Sequence, residues 1–170
     1  MLSSIITSKT RIRLLTKFFL NPSNVSYLRE LAKEFDESTN AVRKELNNLS
    51  EAGLLQTDVD QNKKTYRANT QHPLFPSIHQ IVKQSLGLES LVDFILRRLG
   101  DVDKIIVVGD YAMGLDTGQI DVVIIGQDLD ETFMGQISGS VEKKIERKVN
   151  IIKQDNHTGP GFVVYDKRIS

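Results

Sequence analysis

Apolar residues recur at Ile12, Leu15 and Phe19, and again at Leu14 and Phe18, the three-and-four spacing of a helix over residues 8–20. Lys9, Arg11, Arg13 and Lys17 fall on its other faces. Asn21-Pro22-Ser23-Asn24 predicts a loop, because proline disfavours a helical residue before it and the others are turn formers. Ser26 is placed to cap a second helix over residues 27–35, with Leu28, Leu31, Ala32 and Phe35 as its apolar stripe. After the polar turn Asp36-Glu37-Ser38, a third helix begins near Thr39 or Asn40. It carries Ala41, Val42, Leu46, Leu49 and Ala52 on one side and stops at Gly53. Residues 54–59 and 65–68 read as two strands, with the polar tip Asp60-Gln61-Asn62-Lys63-Lys64 between them. Two helices of about ten residues joined by so short a turn match the helix-turn-helix pattern, and the hairpin behind them is a wing.

The pattern changes after His72-Pro73-Leu74-Phe75-Pro76. Residues 77–86 form an amphipathic helix through Ile78, Ile81, Val82 and Leu86, and Gly87 allows a break. Residues 88–99 form another through Leu91, Val92, Ile95, Leu96 and Leu99. Each apolar face is either core or dimer surface. The largely apolar runs at 104–109 and 120–126 read as buried strands, with a loop at 110–119. Residues 130–148 predict a helix weakened in its middle by Gly135 and Gly139. Then come a strand at 149–152, a turn at 156–161 and a short strand at 162–165. The expected fold is α+β: a winged helix-turn-helix domain at 1–70, a helical linker or dimerisation segment at 71–100, and a small α/β domain at 101–170.

Composition narrows the chemistry. The chain has no cysteine, which excludes disulfides, thiol catalysis and cysteine-bound zinc. Its three histidines, His72, His79 and His157, form no metal-ligating cluster, so metal sensing is not expected. No apolar run approaches the roughly 20 residues that span a bilayer. The first 20 residues are amphipathic and basic rather than a signal-peptide core. The expectation is a cytoplasmic protein without a membrane partner. The zero net charge conceals an asymmetry: residues 1–87 hold 12 Lys/Arg against 8 Asp/Glu, and residues 88–170 hold 10 against 14. The basic half suits a polyanion.

Around the start of the third helix, Ser38, Thr39, Asn40, Arg43, Lys44 and Asn47 supply the side chains that a helix entering a DNA major groove needs. Arginine can bind guanine O6 and N7, and asparagine adenine N6 and N7, each through two hydrogen bonds. Lys63 and Lys64, expected at the wing tip, would meet phosphate or enter a minor groove. The segments 27–35, 38–49 and Glu51-Ala52-Gly53-Leu54-Leu55 together resemble the ArsR/MarR-type winged-helix regulators. The resemblance covers roughly residues 8–68 and implies a homodimer on a pseudo-palindromic duplex.

Gly109-Asp110-Tyr111-Ala112-Met113-Gly114, followed by Gln119-Ile120-Asp121-Val122-Val123-Ile124, resembles the core of the nucleotidyltransferase fold. Active members of that family carry a Gly-Ser turn for the triphosphate and three carboxylates for two metal ions. In this chain Asp110 stands where the serine belongs, and Gln119 stands at the first carboxylate position. Asp121 keeps the second, and Asn150 falls at the third. Asp116, in the loop, is a candidate to stand in for a missing carboxylate, at a position the pattern does not constrain. The resemblance therefore implies a degenerate nucleotide site of Gly109, Asp110, Gln119, Asp121 and Asn150, without transferase activity. No catalytic residue, resident metal or cofactor is expected.

The combined reading is a transcriptional regulator that binds double-stranded DNA. Its second half would serve dimerisation or the sensing of a small-molecule or nucleotide effector. The alternative is a metal-dependent nucleotidyltransferase with the winged helix as a docking module. A third class is a module whose winged helix pairs with protein.

Overall fold

In the computed structural model, which describes residues 1–170 apart from the side chains of 137 and 138, the first helix begins where its spacing places it, with Ser8 as its N-cap. The Ser8 hydroxyl accepts from the Arg11 amide at 3.1 Å, and α1 runs over Lys9–Leu15. The helix then widens into a π-helical turn over Thr16–Leu20, where the Thr16 hydroxyl donates to the Ile12 carbonyl at 3.0 Å. Phe18, Phe19 and Leu20 are all fully buried. Three consecutive residues cannot share one helix face, so this segment is enclosed on several sides. Burying each aromatic ring contributes roughly 1.5–3 kcal/mol.

Ser26 does not cap the second helix. It lies in a two-residue strand, β1 (Ser26–Tyr27), and its hydroxyl donates to the Glu30 carboxylate at 2.6 Å. The next helix, α2 (Leu28–Phe35), has Tyr27 at its N-cap, with no side-chain bond there. The reason is pairing: Ser26 opposes Tyr66 across an antiparallel ladder, which fixes its backbone as strand. Asp36 then turns the chain in the left-handed region (φ 52°), and α3 (Thr39–Glu51) follows. Ser38 caps α3, accepting from the Ala41 amide at 3.2 Å, and Gly53 (φ 74°) ends the helical segment.

The hairpin is tighter than its sequence suggests. β2 (Leu55–Asp60) and β3 (Lys63–Ala68) are joined by Gln61 and Asn62 alone, at φ 46° and 65°. A two-residue turn with both φ positive matches the twist of the strands it joins. Lys63 and Lys64 are consequently strand residues, opposite Asp60 and Val59, rather than part of a loose tip. With strand order β1-β3-β2 beside α1, α2 and α3, this part is compatible with a winged helix-turn-helix.

The chain divides into two compact units, Met1–Val82 and Lys83–Ser170, within α4 (Phe75–Ser85). The second unit contains α5 (Leu88–Arg98), β4 (Asp101–Val108), α6 (Gly109–Ala112), β5 (Gln119–Gln127), α7 (Glu131–Ile145), β6 (Lys148–Lys153) and β7 (Phe162–Asp166). The expected loop at 110–119 thus opens with a helical turn. The sheet order is β6-β5-β4-β7, with β5 and β6 parallel and β4 antiparallel to both of its neighbours. β6 and β7 therefore run the same way on opposite edges, and residues 154–161 must traverse the sheet. Gly161 makes that passage possible, because a Cβ there would lie 2.9 Å from both Ile106 Cγ2 and the Val107 carbonyl oxygen. The whole is a mixed α+β protein with two sheets. Among the described residues, no helix is long and apolar enough to cross a membrane.

Within the first unit, α1 is fastened by ion pairs that its periodicity hides. Arg11 Nε donates to Glu45 at 2.8 Å, and the Ser8 hydroxyl reaches the same carboxylate at 2.9 Å. Arg13 and Thr10 both bond Glu37, in the turn between α2 and α3. Lys17, almost fully buried, spans both oxygens of Glu34 at 3.0 Å. Three cations expected on solvent faces thus hold carboxylates of α2, the turn and α3. Burial pushes the Glu45 carboxyl up, but hydrogen bonds from Arg11 and Ser8 outweigh it and leave its pKa below the ordinary value. A depressed folded pKa gives stability that is full above the unfolded value and is lost as pH falls through the folded one. Glu45→Gln is expected to lower the unfolding free energy at pH 7 by about 1–3 kcal/mol. That deficit should shrink as pH falls below the ordinary glutamate value of 4.5. Urea titrations at several pH values check this, and a deficit independent of pH would refute the clasp.

Candidate nucleic-acid interface

With Val42, Glu45, Leu46 and Leu49 turned into the core, α3 leaves Thr39, Asn40, Arg43, Lys44 and Asn47 exposed. Arg43 Nη1 donates to Asn40 Oδ1 at 2.9 Å, one turn back along the helix. The pair presents a guanidinium and an amide side by side. Ser38 is exposed too, but its hydroxyl is engaged as the cap.

Beside this ridge lies a groove of about 840 Å³ between α2, α3 and the wing. Arg43 and Asn47 reach it from α3, Lys63 and Lys64 from β3, and Arg29 and Lys33 from α2. The Lys63 ammonium stands 4.9 Å above the Tyr27 ring, and the Lys64 ammonium 5.5 Å above that of Tyr66. Attraction to a ring face is worth about 0.5–1 kcal/mol at exposed sites, enough to bias where these long side chains rest. The structure thus gathers four of the eight sequence-predicted residues on the groove. Thr39, Asn40 and Lys44 remain on the ridge. Sequence reasoning missed Tyr27, Arg29 and Lys33. The available signal was the four-residue spacing of Arg29 and Lys33, which places both on one face of α2.

In the second unit, Gly109, Gln119, Asp121 and Asn150 come together. Asp121 and Asn150 are paired across β5 and β6. Asp121 Oδ1 accepts from the Gln119 amide and from the Asn150 amide, each at 3.1 Å. Its Oδ2 lies 2.8 Å from where a Cβ on Gly109 would stand, so only glycine (φ 66°) fits the turn. Asp110 is exposed on α6 and makes no hydrogen bond to this cluster among the described residues.

Asp116 is engaged elsewhere. Arg147 Nη2 donates to it at 2.7 Å and Nε at 3.1 Å, and the buried Tyr111 hydroxyl donates to it as well. Burial raises the Asp116 carboxyl, but the bonds from Arg147 and Tyr111 outweigh this and hold it below the ordinary range. Burial, and then the adjacent carboxylate, push the Tyr111 phenol well up. Among the described residues, no group of three His, Cys, Asp or Glu is placed to hold a metal ion. His72 and His79 each lie against a backbone carbonyl, of Ala52 and Phe19, and His157 meets Gln154 and Pro160.

No family model matches the chain, and neither does any curated protein. Among solved structures it is similar to the crystal structure of the AntR antimony-specific transcriptional repressor. The identity is 23% over 54% of this chain and 77% of that chain, with a TM-score of 0.40. A superposition so loose assigns neither function nor ligand.

The triad has a spectroscopic consequence. Asp116→Asn removes the anion beside Tyr111, so the tyrosinate absorbance of that residue should appear at lower pH than in the wild type. A pH titration followed at 295 nm, with Tyr111→Phe to assign the band, reads this directly. An unmoved titration would show that Asp116 does not set the phenol's proton affinity.

Proposed function

We propose that this protein is a transcriptional regulator that binds double-stranded DNA through its first unit. The observation that supports it is the joining of the α3 ridge to a cation-lined groove on one exposed surface. In this reading the N-terminal part of α3 enters the major groove. Asn40, Arg43 and Asn47 meet base edges, while Thr39 and Lys44 meet the backbone beside them. Lys63 and Lys64 supply the wing's contacts, from the flank of the hairpin rather than its tip. Two copies would bind a two-fold site, with residues 71–100 contributing to the pairing and the second unit serving dimerisation or effector sensing.

The second unit has a nucleotidyltransferase-like fold in this reading, without the transfer reaction. The amide-satisfied Asp121 supports that view, since two neutral amides replace anionic ligands that Mg²⁺ favours. Incubation with labelled nucleoside triphosphates and Mg²⁺ is expected to transfer no label. Transfer that is lost in Asp121→Ala would replace this reading with the enzymatic one.

Selection from random duplexes, followed by titration of the winning site, tests the DNA reading. Arg43→Ala is expected to cost about 1–3 kcal/mol, on the order of 5- to 150-fold in Kd, and to relax preference at one base pair. Absence of duplex binding after a broad selection would refute the proposal.

A further inference from the structure

We infer that the cleft between the start of α5 and β7 binds a free α-amino acid, with its carboxylate at Lys83 and its ammonium at Asp93 and Glu89. The inference rests on the effector-sensing reading of the second unit and names the chemistry of the effector.

The shape of the cleft comes first. It holds about 330 Å³ and is lined by Lys83, Leu88, Glu89, Val92, Asp93 and Val164. That is the small end of the range for ligand pockets, roughly 300–1,000 Å³. Across β4 and β7, Tyr165 opposes Ile105 and Val163 opposes Ile106, which leaves Val164 with no residue opposite it. A bulge of this kind redirects a side chain. Val164 joins Leu88 and Val92 as the apolar part of the lining.

The charges then select the ligand. Glu89 and Asp93 stand four residues apart on α5, about 5–6 Å between Cβ atoms. The Gln84 side-chain amide donates to Glu89 at 3.2 Å. Lys83 comes to the cleft from the last turn of α4. Among the described residues, Lys83 and Asp93 form no ion pair with each other. Opposite charges thus line one cleft with a gap between them, which a ligand carrying both signs fills. An ammonium has three N–H donors, enough for both carboxylates of α5. A dicarboxylate would meet two like charges there, and a diamine would leave Lys83 without a partner. One cation against two anions leaves the cleft with an excess negative charge, so a basic amino acid is the best match within the class.

The position gives an occupant something to act on. Lys83 is the first residue of the second unit, and Gly87 (φ 74°) turns the chain from α4 into α5. A ligand held by both Lys83 and Asp93 spans that corner and fixes it.

Calorimetry on the full chain tests the site with L-lysine, L-alanine, L-glutamate and cadaverine, which is lysine without its carboxylate. The proteins are wild type, Lys83→Met and Asp93→Asn. Circular dichroism confirms folding, and Asp93, being exposed, is a position where substitution leaves the fold intact. L-Lysine is expected to bind most tightly, L-alanine more weakly and L-glutamate most weakly. Lys83→Met should weaken L-lysine on the order of tenfold and cadaverine not at all, so that the advantage of lysine over cadaverine disappears. Asp93→Asn should weaken both. Cadaverine binding as tightly as L-lysine in the wild type would overturn the site, because its carboxylate end would then be idle. So would amino-acid binding that both variants leave unchanged, or no binding of L-lysine and L-alanine at millimolar concentration. Duplex affinity with and without L-lysine separates this inference from the reading it rests on. Amino-acid binding that leaves duplex affinity unmoved keeps the site and removes its effector role. A wild type that binds no duplex refutes the DNA reading, while the calorimetric result still decides the cleft.

Discussion

The carboxylate of Glu45 is buried beneath α3, and a buried carboxylate must be partnered or it destabilises the fold. Arg11 and Ser8, both from the start of α1, are partners the structure provides. The same helix uses Arg13 and Thr10 to hold Glu37 and Lys17 to hold Glu34. One helix thereby grips α2, the turn after it and α3 through one ion pair each. The angle between the two helices of the helix-turn-helix depends on that grip. So does the groove, because its walls are α2 on one side and α3 with the wing on the other.

Electrostatics inside the first unit fall into two sets. Arg11, Arg13 and Lys17 each hold a carboxylate partner. Five other cations line the groove, where Glu30 is the one carboxylate. The second unit divides its charges differently. Asp116 and Arg147 neutralise one another beside the Tyr111 hydroxyl, and Asp121 is met by amides.

Local signals in the sequence were read well. The starts of the first and third helices, the stop at Gly53 and the strands of the second unit each follow from a few neighbouring residues. Features that need a distant partner were not readable. β1 is two residues long and exists because Tyr66 lies opposite Ser26. Lys17 reads as a solvent residue by helical periodicity, yet Glu34, 17 positions away, takes it into the core. Lys63 and Lys64 read as part of the polar tip 60–64, whereas pairing with Asp60 and Val59 across the hairpin makes them strand residues. Arg147 and Asp116 are 31 residues apart, so no spacing pattern announces them. The candidate interface was half legible for the same reason: the α3 residues lie within one helix, while Tyr27, Arg29 and Lys33 join them only after folding.

The sheet of the second unit also orders events in time. β4 pairs with β5 through a short connection, but its other edge waits for β7, with Lys104 opposite Asp166, about 60 residues further on. During synthesis the central strand therefore emerges with half of its backbone hydrogen-bonding groups unmatched until residues 162–166 have been made. Closing so distant a pair costs more chain entropy than closing a hairpin and slows folding. The crossing segment that delivers β7 contains no helix to guide it, and its passage past Ile106 depends on Gly161. The second unit should accordingly reach its native state later than the hairpin and helices of the first, and the nascent chain spends that interval with an apolar strand edge uncovered.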